Sequence, residues 1–250
     1  MKKTLLITGA SRGIGAATAR LAAERGWAVA VNYLRDATAA QATVFAIRER
    51  GGEAEAFQAD VADDAQVSGL FAAVDSCFGA GSLRGLVNNA GIGDVVCRVD
   101  SMTAQRVQRV FATNVLGSFS CAREALRRMS RAHGGPGGAI VNVSSTAARR
   151  SSAGIYMDYA ASKAAIDNFT IGLAEEVAAE GVRVNAVRPG IIDTDIHASV
   201  GLADRVREMA PTLPMRRAGS ADEVARAIVW LLSDEASYVT GALLDVAGGR

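Results

Sequence analysis

Proline is scarce in this chain, four among 250 residues, while alanine and glycine are abundant, the composition of a compact enzyme-like domain. Its three cysteines, Cys77, Cys97 and Cys121, are odd in number and lack metal-ligand spacing. They exclude a disulfide framework and point to a reducing compartment. Histidine is rarer still: His133 and His197 are too few donors for a metal site, and none is expected. Neither sign of charge dominates, with 27 Lys and Arg against 26 Asp and Glu and a formal net charge of +1. The absence of a basic excess argues against nucleic acid as partner, and the absence of a like-charge block argues against a charged tail. The opening apolar run stops at Thr8-Gly9, too soon for the core of a signal peptide, and no stretch is long enough to span a bilayer. The expectation is a cytoplasmic protein without a membrane partner.

Half of the residues are apolar, and a chain of this length buries a large core. Short β-branched or aliphatic runs at 4–8, 28–32, 54–58, 85–88, 139–144, 183–187 and 242–246 read as strands. Alanine-rich segments with helical spacing lie between them at 14–25, 37–50, 65–78, 104–131, 159–179 and 221–232. Several early strands are apolar on both faces, as in a parallel sheet covered on both sides. The alternation predicts an α/β protein: one doubly wound, Rossmann-type domain over 1–250, with a seven-stranded parallel sheet. The glycine cluster at 134–138 reads as a turn, and the irregular stretch 191–214 as a lid.

Two local patterns suggest chemistry. Tyr159 and Lys163, four apart in a predicted helix, share a face. A nearby ammonium favours the phenolate and is expected to lower the tyrosine pKa from about 10, making the hydroxyl an acid/base group. On its own such a pair also fits a solvated helix surface. Thr8-Gly9-Ala10-Ser11-Arg12-Gly13-Ile14-Gly15 sits between the first strand and first helix. Glycines there permit a sharp turn and close approach of a pyrophosphate to free helix N–H groups. A P-loop would need Gly-Lys-Ser/Thr, but Gly15-Ala16-Ala17 follows, and the spacing is not G-x-G-x-x-G.

The glycine spacing resembles the Thr-Gly-x-x-x-Gly-x-Gly motif of the short-chain dehydrogenase/reductase family. Further elements match in order: Asn88-Asn89-Ala90-Gly91, Asn114, Ser144-Ser145, Tyr159-x-x-x-Lys163, Pro189-Gly190 with Thr194, and Val239-Thr240-Gly241 with Asp245 and Gly248-Gly249. The resemblance covers essentially the whole chain. It implies a nicotinamide-dependent enzyme acting on CH–OH donors, with a small-molecule carbonyl or alcohol as substrate. Tyr159 would exchange a proton with the substrate oxygen, and Lys163 would lower its pKa and hold the nicotinamide ribose. Ser145 would hydrogen-bond the reacting oxygen, and Asn114 would order a relay water. Ser144 and Ser145 as loop caps, and Asn114 as a satisfied mid-helix amide, are the structural alternatives. Asp158 reads as a helix-start residue.

Cofactor contacts implied by the resemblance are Gly9, Ser11, Arg12, Gly13, Ile14 and Gly15 in the turn, and Asn88, Ala90 and Gly91 along the adenine-ribose side. Asp60 and Val61 would hold the adenine, with a turn-capping aspartate the alternative. Pro189 and Gly190 would precede Ile192 and Thr194 at the carboxamide. Tyr33 stands where NAD-preferring relatives carry Asp, and the fork of Arg12 suits a 2′-phosphate. With Asn32 and Arg35 assisting, NADP is favoured and NAD is the other option; Asp36 weighs toward NAD. The substrate wall is expected from 93–96, 151–157 and 191–214, with Asp94, Tyr156 and His197 beside Ser145 and Tyr159. Arg149-Arg150 and Arg216-Arg217 either attract an acidic substrate or acyl-carrier partner, or are solvated. The run around Tyr159 is similar to glucose 1-dehydrogenase-like members, which leaves an aldose or a 3-oxoacyl thioester as substrate classes. Apolar helix faces and the family habit imply a homotetramer. The competing readings are a nucleotide-binding sensor without turnover and a methyltransferase on a related sheet.

Overall fold

The computed structural model of the protein describes residues 2–150, 152–194, 202 and 204–250. Seven strands form one parallel sheet: β1 (Thr4–Ile7), β2 (Ala28–Tyr33), β3 (Glu53–Gln58), β4 (Leu83–Asn88), β5 (Gly138–Val143), β6 (Val182–Pro189) and, last in sequence, β9 (Leu243–Val246). Their spatial order is β3-β2-β1-β4-β5-β6-β9. The doubly wound sheet expected from the alternation is therefore present. Alternation within strands divides the apolar side chains between two cores. Leu5, Ile7, Val29 and Val31 pack on one face with Ile228 and Leu231, while Leu6, Ala30 and Leu86 pack on the other with Phe71, Ile140 and Val184. Cys121 belongs to this second core, where burial pushes its thiol up to about 12.

Helices α1 (Gly13–Glu24), α2 (Ala37–Arg48) and α3 (Asp64–Phe78) follow β1, β2 and β3. The segment expected to be one helix over 104–131 is interrupted. It comprises α4 (Ala104–Phe111), a π-helical stretch at Ala112–Leu116, and α5 (Gly117–Met129). A π-stretch is rare and often marks a functional site. Its Asn114 amide reaches out to the loop after β4, accepting from Ile92 N at 2.8 Å and donating to Ile92 O at 2.9 Å. A short α6 (Ala147–Arg150) follows β5, and α7 (Met157–Val177) starts two residues before Tyr159. The irregular stretch contains β7 (Ile192–Asp193) and α8 (Arg205–Met209). β7 pairs with β8 (Gly219–Ser220), and α9 (Ala221–Leu232) opens with a capping box between Ser220 and Glu223.

One buried ion pair ties the start of α7 to its surroundings. Arg106 of α4 meets both oxygens of Asp158, Nε to Oδ2 at 2.7 Å and Nη2 to Oδ1 at 3.2 Å. Its Nη1 also donates to Val95 O at 2.6 Å and to Cys97 Sγ at 2.9 Å. Asp158 Oδ1 in turn accepts from Tyr159 N at 2.9 Å. Three segments thus converge on one guanidinium. With the two side chains 8% and 1% exposed, removing either partner strands a buried charge. Asp158→Ala should lower unfolding stability by about 3–5 kcal/mol, whereas replacing both partners with apolar side chains of similar volume should cost much less. Urea titration of the three proteins measures the difference.

Candidate active site

The sheet order reverses between β1 and β4, and this divergence opens a crevice beyond their carboxyl ends. Thr8 and Asn89 hold its floor. Asn89 N and Ala90 N donate to Thr8 Oγ1 at 3.0 and 2.9 Å, and Asn89 Nδ2 donates to Thr8 O at 2.8 Å and Gly9 O at 2.9 Å. Gly15 lies against this clamp: a Cβ there would sit 2.6 Å from Asn89 Nδ2 and 2.7 Å from Gly9 O. Gly9 and Gly13 have φ of +61° and +57°, the left-handed region that favours glycine. The turn delivers the N-terminus of α1, which has no side-chain cap and no acidic residue in its first turn. Its free N–H groups suit an anion, and the glycines leave room for one. These features fit the pyrophosphate of a dinucleotide.

The other expected cofactor residues divide by what their side chains touch. Ala90 backs Gly9, and Thr194 stands beside Gly13, 3.5 Å from where a Cβ would lie. Ile14 is half-buried against the core, and Ser11 O accepts from Thr43 Oγ1 at 3.3 Å. Arg12 is exposed and lines a cleft of about 300 Å³ with Ser11, Gly13, Arg20 and Thr43. Arg20 escaped the sequence reading, although 12, 16 and 20 share a helical face. Tyr33 is half-buried and Arg35 exposed at the end of β2. Asp36, read as a counterweight toward NAD, is the N-cap of α2, its Oδ1 accepting from Ala39 N at 2.9 Å.

Two side chains differ from expectation. Asn32 faces inward: Oδ1 accepts from Gly9 N at 3.2 Å, and Nδ2 donates to Ala59 O at 3.1 Å and Phe57 O at 3.3 Å. It braces the glycine turn and is not free to assist at a 2′-phosphate. Asn88 is buried too, donating to Asn142 Oδ1 at 2.9 Å. Its amide lies beneath the crevice, and the neighbouring Asn89, missed as a positioning residue, faces it. Asp60 caps its own turn, Oδ1 accepting from Ala62 N at 2.9 Å, while buried Val61 packs near Gly117. Pro189 O accepts from Thr146 N at 3.0 Å, Gly190 abuts Ala247, and Ile192 is buried with its Cδ1 toward Gly219.

Across the crevice the four candidate catalytic residues assemble. Ser144 is turned inward, donating to Lys163 O at 3.2 Å, which leaves Ser145 as the half-exposed serine. Ser145 Oγ accepts from Ala147 N at 3.1 Å, and its hydroxyl acts to lower the Tyr159 pKa. Lys163 is buried, with Nζ donating to Val143 O at 2.7 Å and standing 5.6 Å from the Tyr159 ring centroid. A Cβ on Gly91 would lie 3.3 Å from that Nζ and 3.5 Å from Asn114 Oδ1, so these three share one corner. The hydrogens of the Asn114 amide go to Ile92 O and Ser162 Oγ.

The expected lowering of the tyrosine pKa is reversed. Desolvation pushes Tyr159 up to about 12, with the Ser145 hydroxyl opposing and Tyr156 adding to the rise. The same dehydration drags Lys163 down to about 8, against the pull of Asp167. Both groups sit where a charge lacks water, and burial is the leading cause of both shifts.

Of the expected substrate residues, Tyr156 packs edge-on against Tyr159, centroids 5.5 Å apart at 88°. Asp94 is taken up by an ion pair with Arg109 and accepts from Val95 N at 2.8 Å, so its carboxylate serves the loop. His197 lies outside the described residues.

A family profile described as "Enoyl-(Acyl carrier protein) reductase" matches residues 9–250. An uncharacterized oxidoreductase, YgfF, of Escherichia coli K12 is 55% identical over 245 residues, 98% of each chain. The 3-oxoacyl-[acyl-carrier-protein] reductase FabG of Staphylococcus aureus is 39% identical over 252 residues, covering 100% of this chain and 98% of that one. A short-chain dehydrogenase of Burkholderia cenocepacia J2315, solved in complex with NADP, superposes with a TM-score of 0.88 at 36% identity, over 99% of this chain and 97% of that one. The chain belongs to the short-chain dehydrogenase/reductase family and is an oxidoreductase of that type, built to bind a nicotinamide cofactor. Among the described residues, no helix is long and apolar enough to cross a membrane.

The lowered Lys163 pKa carries a stability signature. Below about 8 the folded state must hold a buried ammonium, while a free lysine titrates near 10.5. Over that window the unfolded chain binds the extra proton, so stability should rise with pH between 8 and 10.5. In Lys163→Met this rise should vanish from the unfolding free energy measured by urea titration at each pH.

Proposed function

We propose that this enzyme transfers hydride between NADP(H) and a carbonyl or secondary alcohol, with Tyr159 as the acid/base. The observation that carries the reading is the grouping of Tyr159 with buried Lys163, whose Nζ stands 5.6 Å from the ring, and with Gly91 beside that Nζ, Ser145 acting on the same phenol. When bound, the nicotinamide supplies or accepts the hydride. The remaining work falls to the chain. A ketone oxygen accepts from the Ser145 and Tyr159 hydroxyls, which stabilise charge developing on it. Tyr159 keeps its proton well above neutral pH, so it starts a reduction as a donor and passes that proton to the substrate oxygen. Lys163 then offsets the phenolate left behind. Asn114 acts as a positioning residue, holding Ile92 and with it the Gly91 corner.

NADP is supported over NAD by exposed Arg12 and the nearby Arg20 lining one cleft, and by Asp36 being committed to α2. A relative bound to NADP points the same way. The substrate class is left open between an aldose and a 3-oxoacyl thioester, the latter matching the name of the Staphylococcus relative. Leu116 and Phe119 of the π-stretch and α5, with Ile171 of α7, form an exposed apolar face suited to a homotetramer contact.

Purified protein mixed with NADPH and a panel of ketones, aldehydes and sugars should consume NADPH with at least one of them, read as lost absorbance. Tyr159→Phe should lower turnover by about 10²–10⁴-fold while NADPH still binds; full activity in that variant removes the assigned acid. Arg12→Ala should raise the KM for NADPH by about tenfold or more and leave NADH nearly unaffected. An equal effect on both nucleotides would remove the 2′-phosphate role.

A further inference from the structure

Four arginines from three segments converge beside the candidate active site. Arg149 and Arg150 end α6, the turn that follows Ser145; Arg205 opens α8; Arg250 comes from the chain beyond β9. The guanidinium of Arg205 stacks on the Tyr156 ring, 5.5 Å from its centroid, and that ring packs edge-on against Tyr159 at the same distance. The cluster is therefore two successive stacks from the reacting hydroxyl.

Most of the local opposite charge is already committed. Asp245 pairs with Arg149 at 2.9 Å, and Asp204 pairs with Arg207 at 2.9 Å. Arg149 also donates to Arg250 O at 2.7 Å. Arg205 Nε and Arg250 Nη1, by contrast, are buried and have no hydrogen-bond partner among the described residues. Unpartnered buried donors are rare in folded proteins, and two on neighbouring cations are rarer. Burial, and after it like-charge repulsion from Arg150 and Arg205, disfavours the charged form of Arg250. An anion between them would relieve that repulsion and satisfy both donors.

We infer that this arginine cluster is a subsite for a carboxylate on the substrate, so that the enzyme acts on carbonyl compounds or alcohols bearing an acidic group remote from the reacting carbon. The inference rests on the oxidoreductase reading above and adds a substrate class to it. Tyr156 serves as the spacer, its ring separating the anion from the proton donor. The guanidinium fork matches a carboxylate with two parallel hydrogen bonds, which a neutral amide cannot reproduce.

The test compares two methyl ketones of equal length, 6-oxoheptanoate and 6-oxoheptanamide, with NADPH as reductant. The carboxylate should show a kcat/KM at least tenfold above the amide, mostly through KM, and added salt should shrink the gap. Arg205→Gln and Arg250→Gln should each collapse the ratio toward one, and Arg205→Lys should restore part of it. Arg216→Gln, outside the cluster, should leave the ratio as in the parent enzyme. Equal kcat/KM for the two ketones, or a ratio unmoved by both glutamine variants, overturns the subsite. If neither ketone is reduced, calorimetric titration of each into the enzyme with NADPH separates the two ideas. Tighter binding of the carboxylate, lost in Arg205→Gln and Arg250→Gln, keeps the subsite while the catalytic reading fails; equal binding of both compounds removes the subsite.

Discussion

The architecture of this site depends on holding two adjacent parallel strands apart at their ends. β1 and β4 are hydrogen-bonded neighbours along the sheet, yet their connections leave in opposite directions, and the chain must bridge the gap without filling it. Thr8 and Asn89 do this through the four hydrogen bonds that lock the glycine turn onto the loop after β4. Asn32 braces the same turn from the β2 side. Gly15 can only be glycine because the clamp occupies the space a side chain would need. From that fixed floor follow the uncapped N-terminus of α1 on one side and the Gly91–Lys163–Asn114 corner on the other.

The chemistry of the corner is governed by dehydration more than by attraction between neighbours. A lysine four residues from a tyrosine invites the expectation of a stabilised phenolate, and in water that expectation is sound. Inside the fold, Lys163 lies buried with a carbonyl as its partner, and burial raises the Tyr159 pKa more than the Ser145 hydroxyl lowers it. The outcome is a neutral donor next to an amine drawn toward neutrality. Such a pair is poised to respond to any further charge brought into the crevice, because each charge added to a dry site acts over a low dielectric.

Buried polar groups carry much of the positioning. The Arg106–Asp158 pair fastens α4, the loop at Val95 and Cys97, and the backbone of Tyr159 together. The chain from Asn88 through Asn142 to Thr170 lies beneath the same region. Neither network touches the reacting atoms. Both restrict how α7, which carries Tyr159 and Lys163, sits against the sheet.

The sheet, its helices and the order of the motifs were legible in the sequence because hydrophobic periodicity and glycine spacing are local signals. Unbroken apolar runs at 5–7 and 29–31 specify strands buried on both faces, and the glycine turn announces itself within eight residues. What the periodicity concealed was the π-stretch at Ala112–Leu116 and the contact its Asn114 makes with Ile92, twenty-two positions away. The direction in which Asn32 and Asn88 point, the engagement of Asp94 by Arg109, and the reversed Tyr159 pKa were concealed for the same reason. Residue type and order were enough to define the family of folds and the groups available to it. Burial, partner choice and the gathering of arginines around Tyr156 arose only when distant segments met, because dehydration and hydrogen bonding are decided by what surrounds a side chain in space.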